Sequence, residues 1–241
     1  MCVIKDFIES RALSLNSDFA LTALSPLDRR YQPQLSAVAE LFSEAALIQY
    51  RVQVEVQYLL FLSQHNCLPQ ITQAHRKALL KWSKSLTIAE AQQVKELEKT
   101  TRHDVKAVEY FIRQKLIELN SPLTPYTHIA LTSEDTNSMA QALMWQAATQ
   151  LVLLPQLRQV LQKLTEMATA HAALPMLART HGQAAVPTTL GKEIVVFAIR
   201  LLEEVKILEQ LPIEAKLTGA VGNFNAHQVA FPKMNWPKLS A

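Results

Sequence analysis

The chain has 241 residues, of which 49% are hydrophobic, with 24 basic and 21 acidic side chains for a net charge of +3; that is ample length for a core in one large domain or two small ones. Lysine and arginine are scattered rather than clustered, which excludes a nucleic-acid footprint, and two cysteines, Cys2 and Cys67, supply neither a disulfide framework nor a metal-ligand spacing. All four glycines (Gly182, Gly191, Gly219 and Gly222) fall in the last quarter of the chain, so the glycine-rich phosphate cradles of P-loop and dinucleotide-binding folds are excluded and helix is favoured throughout.

Residues 1–20 carry no clear pattern and read as a variable extension. Met1-Cys2-Val3-Ile4 is broken at once by Lys5 and Asp6, unlike a signal peptide, and no apolar run is long enough to span a bilayer; a soluble, cytoplasmic protein without a membrane partner is expected. Ser25-Pro26, followed by Asp28-Arg29-Arg30-Tyr31, reads as a turn. On the residues alone a plain solvated turn is preferred, although Arg30 can bond phosphate oxygens bidentately and Tyr31 can add a hydroxyl donor. Residues 33–64 then read as one helix, with apolar positions at Leu35, Val38, Phe42, Val52, Leu59 and Leu62. A second helix fits 72–84, and Thr87-Ile88-Ala89-Glu90 is a capping box for a third. His65 and His75 are taken as surface residues.

Thr100 to Asp104 is polar and precedes an amphipathic run at Val105, Val108, Ile112, Leu116 and Leu119. His103 and Asp104 therefore fall at a helix N-terminus, where free N–H groups and the macrodipole attract anions; Asp104 alone is equally an ordinary cap. A proline- and serine-containing loop at 120–125 suggests a domain boundary near 124. Thr132-Ser133-Glu134-Asp135 again stands directly before a helix, whose expected buried stripe is Met139, Leu143, Ala147, Leu151 and Leu154. Pro155 either kinks that helix or begins the next. His128 is read as a packed core residue and His171 as a helix end.

Ala178-Arg179-Thr180-His181-Gly182-Gln183 reads as a polar loop leading into a helix over 189–211, with Leu190, Ile194, Phe197, Leu201, Val205 and Leu208 on one face. Composition alone favours an inert surface loop here. The glycine-containing stretch 218–227 suits a turn close to a ligand, and residues 231–241 read as a connection. Five segments show helical periodicity and none alternates over strand length, so an almost wholly α-helical fold is expected.

Four stretches occur together in one order: Ser25 to Tyr31, Thr101-Arg102-His103-Asp104 with its following helix, Thr132-Ser133-Glu134-Asp135-Thr136-Asn137, and Arg179-Thr180-His181-Gly182-Gln183. In that set the chain, from about residue 21 to 241, resembles the fumarase/aspartase superfamily, and its wording is most similar to the adenylosuccinate lyase family. The resemblance implies an all-α fold: an extension at 1–20, a small helical N-terminal domain over 21–124, and the first long helices of a central helical bundle over 125–241. It implies β-elimination of fumarate from adenylosuccinate, giving AMP, and from SAICAR, giving AICAR, in purine biosynthesis, without metal or organic cofactor. His181 becomes the general acid, and Arg30, Tyr31, Arg102, His103, Asp104, Thr132, Ser133 and Gln183 become substrate-binding residues. It further implies a homotetramer with sites shared between chains. The family's base, a serine on a mobile Gly-Ser-Ser loop, has no match in these residues; Phe231-Pro232-Lys233-Met234-Asn235 lacks the serine pair. An N-terminal half without activity of its own, a non-enzymatic helical protein, and a lyase for argininosuccinate or fumarate are the competing expectations.

Overall fold

A computed structural model describes residues 24–28 and 30–239; the extension expected at 1–20 and Arg29 lie outside them. Helix makes up 68% of the described residues, and the strands among them form one two-stranded hairpin. The chain divides into two compact units, Met1–Glu40 and Leu41–Ala241. In the first, the turn at Ser25 is closed by the Leu27 N–H donating to Ser25 Oγ at 3.2 Å. Two short 3-10 turns, Pro26–Asp28 and Gln32–Gln34, follow.

The single helix expected over 33–64 is two. Helix α1 (Ser36–Phe42) stops at Ser43, whose backbone is extended (φ −69°, ψ 164°) and whose hydroxyl accepts from Ala46 N to cap α2 (Glu44–Gln64). The local cap competes with continued helix and wins. Helix α2 is buried on nearly every side, with Val52, Val56, Leu59 and Leu62 at 2% exposure or less, as a helix that is apolar almost all round must be. Helices α3 (Gln73–Ser83), α4 (Ile88–Thr101), α5 (Asp104–Glu118) and α6 (Ser133–Ala148) pack on it. Leu79, Val94, Val108, Ile112 and Leu116 complete this core. The expected box operates, with Thr87 and Glu90 bonded reciprocally, and Thr72 also caps α3 by accepting from His75 N.

Helix α6 buries Thr136, Ala140, Met144 and Ala148, one residue round from the expected Met139, Leu143 and Ala147; beyond it Leu151 is 70% exposed, while Leu154 is buried as expected. The small Ala140 and Ala148 let α6 approach α2 closely, which turns the bulkier Met139 and Leu143 to its flank. Pro155 both interrupts and begins a helix. It sits in the first turn of α7 (Leu154–Ala170), and the missing N–H leaves a π turn at Thr149–Leu153 before it.

Residues expected as loop form strands β1 (Pro175–Thr180) and β2 (Gln183–Thr189), paired antiparallel with a register shift between Leu177 and Arg179. Helix α8 (Leu190–Gln210) returns along α7. Its buried line runs through Gly191, Ala198 and Val205, while Phe197, expected inside, is 61% exposed. Gly191 is the contact point. A Cβ there would stand 2.6 Å from Ala172 Cα and 2.7 Å from Ala172 N, and would also meet the Ala168 carbonyl. Because these neighbours are backbone, Gly191→Ala must push α8 away from the end of α7. A loss of about 1–3 kcal/mol follows, read as a lowered denaturation midpoint; an unchanged midpoint would refute this packing.

The tail is more than a connection. After α9 (Asn225–Ala230), α10 (Trp236–Leu239) inserts Trp236, 1% exposed, into the core around α2. No helix among the described residues is long and apolar enough to cross a membrane.

Candidate active site

Two helix N-termini meet. His103 caps α5: its backbone is extended and its Nδ1 accepts from Lys106 N at 3.2 Å. With Nδ1 used as acceptor, the neutral ring carries its proton on Nε2, and that atom lies 3.4 Å from Ser133 Oγ, in the first turn of α6. The starts of α5 and α6 are thus side by side, and with them the positive ends of their macrodipoles. Asp104 bonds Val105 N at 2.8 Å through Oδ1 and the Arg51 guanidinium at 2.6 Å through Oδ2. Partial burial pushes the Asp104 carboxyl up, but the Val105 bond and then the Arg51 charge outweigh it and hold it below the usual range. Arg51, 6% exposed, also donates from Nε to Asn137 Oδ1 at 2.9 Å. One buried cation of α2 therefore ties the start of α5 to the second turn of α6.

One helical turn along α2, Glu55 is wholly buried. Its Oε1 lies 2.6 Å from His128 Nδ1 and accepts from Thr136 Oγ1 at 2.7 Å. Burial alone lowers the basicity of His128, but the Glu55 bond and charge prevail and raise its pKa above 6.5. A histidine raised on folding contributes stability that is complete below its unfolded pKa and is lost as pH climbs through the folded value. An NMR titration is expected to place the His128 midpoint above 6.5, and Glu55→Gln to bring it down; a midpoint at or below 6.5 in the parent would contradict the pairing.

Asp135 anchors the other side. Thr132 N donates to its Oδ2 at 2.9 Å, while Lys216 Nζ, Thr218 N and Gly219 N reach its Oδ1 at 2.9, 3.0 and 3.1 Å. A cavity of about 290 Å³ opens between the two segments, lined by Thr132, Thr218, Gly219, Val221 and Asn223 among others. Behind Gly219 lies His227, fully buried among Tyr58, Phe224 and Trp236. Neither of its ring nitrogens has a hydrogen-bond partner among the described residues, and burial lowers its pKa, which favours the neutral ring. A larger groove of about 650 Å³ along α4, lined by Gln92, Lys95 and Glu96, contains none of the candidate residues.

Each of the remaining candidates has its own surroundings. His181 and Gly182 are the two central residues of the hairpin turn, both at positive φ (51° and 77°). That is the backbone of the two-residue turn that suits strand twist. His181 is exposed and without a hydrogen-bond partner among the described residues, and Gln183 opens β2 opposite Thr180, also exposed. Arg102 is exposed in a left-handed conformation (φ 51°) at the end of α4. In the first unit, the Arg30 guanidinium lies over the Tyr31 ring at 5.4 Å. Sequence reasoning did not find Arg51, Glu55, Asn137, Asp135 or Lys216. The available signal was a pair of charges four residues apart inside an otherwise apolar helix, which has to be compensated by something.

A family model described as Lyase matches residues 29–241. Similar relatives include the adenylosuccinate lyase of Dictyostelium discoideum, 43% identical over 91% of this chain and 49% of that protein. The adenylosuccinate lyase of Escherichia coli (strain K12) is 39% identical over 92% of this chain and 50% of that protein. The chain thus spans about half the length of the curated relatives it matches. Among solved structures, a fumarate lyase from Mesorhizobium sp. BNC1 shares the fold, with a TM-score of 0.65 at 20% identity over 79% of this chain and 44% of that one. A match extending from residue 29 to residue 241, on a fold shared with a fumarate lyase, makes this chain a member of the Lyase family.

Proposed function

We propose that the chain carries part of the active site of a C–N lyase that eliminates fumarate from adenylosuccinate and SAICAR. The carrying observation is the meeting of the α5 and α6 N-termini, with His103 and Ser133 within 3.4 Å. Fixed N–H and O–H donors there suit a substrate carboxylate that gathers charge as the adjacent carbon loses its proton. In the reaction a base takes that proton, the C–C bond becomes double, the C–N bond breaks, and an acid protonates the departing nitrogen. His181 is the acid in this reading, since an imidazole titrates near neutrality and can give up a proton readily. Thr132 and Gln183 add donors, Arg30 and Tyr31 take the phosphate, and Arg102 and Asp104 flank His103. The substrate classes come from the adenylosuccinate lyase relatives.

The same reading assigns residues 21–124 to a helical N-terminal domain and 125–241 to the first part of a helical bundle. A cytoplasmic homotetramer, with sites shared between chains, belongs to it. The test is to co-refold residues 1–241 with the second half of the Escherichia coli relative and to measure fumarate release from adenylosuccinate. Turnover is expected. A well-folded mixture that releases no fumarate overturns the assignment.

A further inference from the structure

Asp135 is 0% exposed, and a carboxylate buried without compensation costs several kcal/mol. Here every demand is met by donors from two distant segments: Thr132 N on Oδ2 at 2.9 Å, and Lys216 Nζ, Thr218 N and Gly219 N on Oδ1 at 2.9, 3.0 and 3.1 Å. Gly219 is 84 residues away in sequence. Lys216 is itself held, its N–H donating to Ser138 Oγ at 2.8 Å and its ammonium also reaching the Gly219 carbonyl. The loop it secures is otherwise closed on itself, by Phe224 N donating to the Thr218 carbonyl at 2.8 Å and Gly222 N to that of Gly219 at 3.4 Å. Gly219 and Gly222 take φ of +79° and +82°, conformations that glycine permits but does not enforce. On its near side lies the cavity of about 290 Å³ shared with Thr132.

We propose that Asp135, with Lys216 as its counter-ion, is a positioning residue that holds the 218–223 loop against the N-terminus of α6 and so shapes the cavity between them. What fills that cavity rests on the lyase reading; that Asp135 forms it does not. Being fully buried, Asp135 acts through the backbone groups it fixes and not by touching a ligand. Two acceptor oxygens are required, one for Thr132 and one for the loop. An amide in the same place has one acceptor and one donor, so it can serve one side of the clamp only.

The experiment compares the parent 241-residue chain with Asp135→Asn and with Asp135→Asn combined with Lys216→Met. Amide exchange at Thr218 and Gly219 is expected to quicken at least about tenfold in both variants, while core amides of α2 such as Val52 and Leu59 keep their protection. The double variant, relieved of an unpaired ammonium, recovers thermal stability; its affinity for fumarate, the probe, stays at least about tenfold below the parent's, as does that of Asp135→Asn. A merely structural role predicts instead that affinity returns with stability. Unchanged exchange at Thr218 and Gly219 in both variants, or fumarate affinity restored in the double variant, overturns the proposal. Where the parent alone does not bind fumarate, affinity is read in the chain complemented by the second half of the Escherichia coli relative; no binding there counts against the lyase reading, and the exchange result then decides on Asp135 by itself.

Discussion

Residues 1–241 assayed alone are expected to release no fumarate from adenylosuccinate above the uncatalysed background. An elimination of this kind needs two proton-transfer groups on the two sides of the breaking bond, and each contributes about a hundred- to ten-thousandfold. His181 can act as the acid. No serine on a glycine-rich loop occurs among these residues to act as the base, and the four glycines are already committed to the hairpin turn, the α7–α8 contact and the 218–223 loop. The same polypeptide is expected to self-associate. Phe197, Ile199 and Ile207 on α8 are 61, 51 and 60% exposed, and Leu151 and Val160 before and along α7 are 70 and 51% exposed; apolar surface of that extent seeks cover. Gel filtration and a fumarate assay on the purified chain check both statements. Robust turnover by 1–241 alone would mean that another side chain is the base, and the mechanism above would have to be abandoned.

The helices were legible because their ends are written in short-range chemistry. Thr72, Thr87 with Glu90, His103, Thr132 and Thr189 each precede an apolar periodic run, and each stands at the start of a helix. Ser43 carries the same signal but lies inside a longer apolar pattern, which masked it. The hairpin escaped because Ala184, Ala185 and Pro187 are poor strand residues and no alternation survives the register shift. Its remaining trace is His181-Gly182, whose paired positive φ values mark a two-residue turn. The buried faces of α6 and α8 were misjudged for a common reason. Both helices bury their small residues, Ala140, Ala148, Gly191 and Ala198, where close approach is needed, and a hydrophobicity count gives those positions little weight.

Of the candidate site, the two anion-attracting helix ends could be read from His103-Asp104 and Thr132-Ser133. The buried ions that join them could not. Asp135 falls in the first turn of a helix, where an acidic residue is ordinary, and nothing local announces that its second oxygen binds Lys216 and the backbone at 218 and 219. Arg51 and Glu55 look like the polar face of an amphipathic helix. Only the tertiary packing makes them interior, where each must find partners.

In the chain complemented by the second half of the Escherichia coli relative, His181→Gln is expected to lower turnover by about a hundred- to ten-thousandfold, the range contributed by general acid catalysis, with KM changed far less. Glutamine keeps a hydrogen-bonding side chain at the tip of the hairpin but has no proton to give near neutral pH. One confounding effect has to be separated. His181 sits at φ 51°, and a residue less tolerant of the left-handed region would distort the turn as well as remove the acid. His181→Asn controls for this, because asparagine accepts that backbone readily and also lacks the acid. If proton donation is the role, both variants lose turnover to a similar degree. If the turn's shape is what matters, the asparagine variant retains activity that the glutamine variant loses. Turnover within about tenfold of the parent in both would exclude His181 as the acid. Because the side chain is exposed and has no hydrogen-bond partner among the described residues, neither change disturbs the core. A loss of turnover with an unshifted denaturation midpoint therefore reports on chemistry rather than on folding.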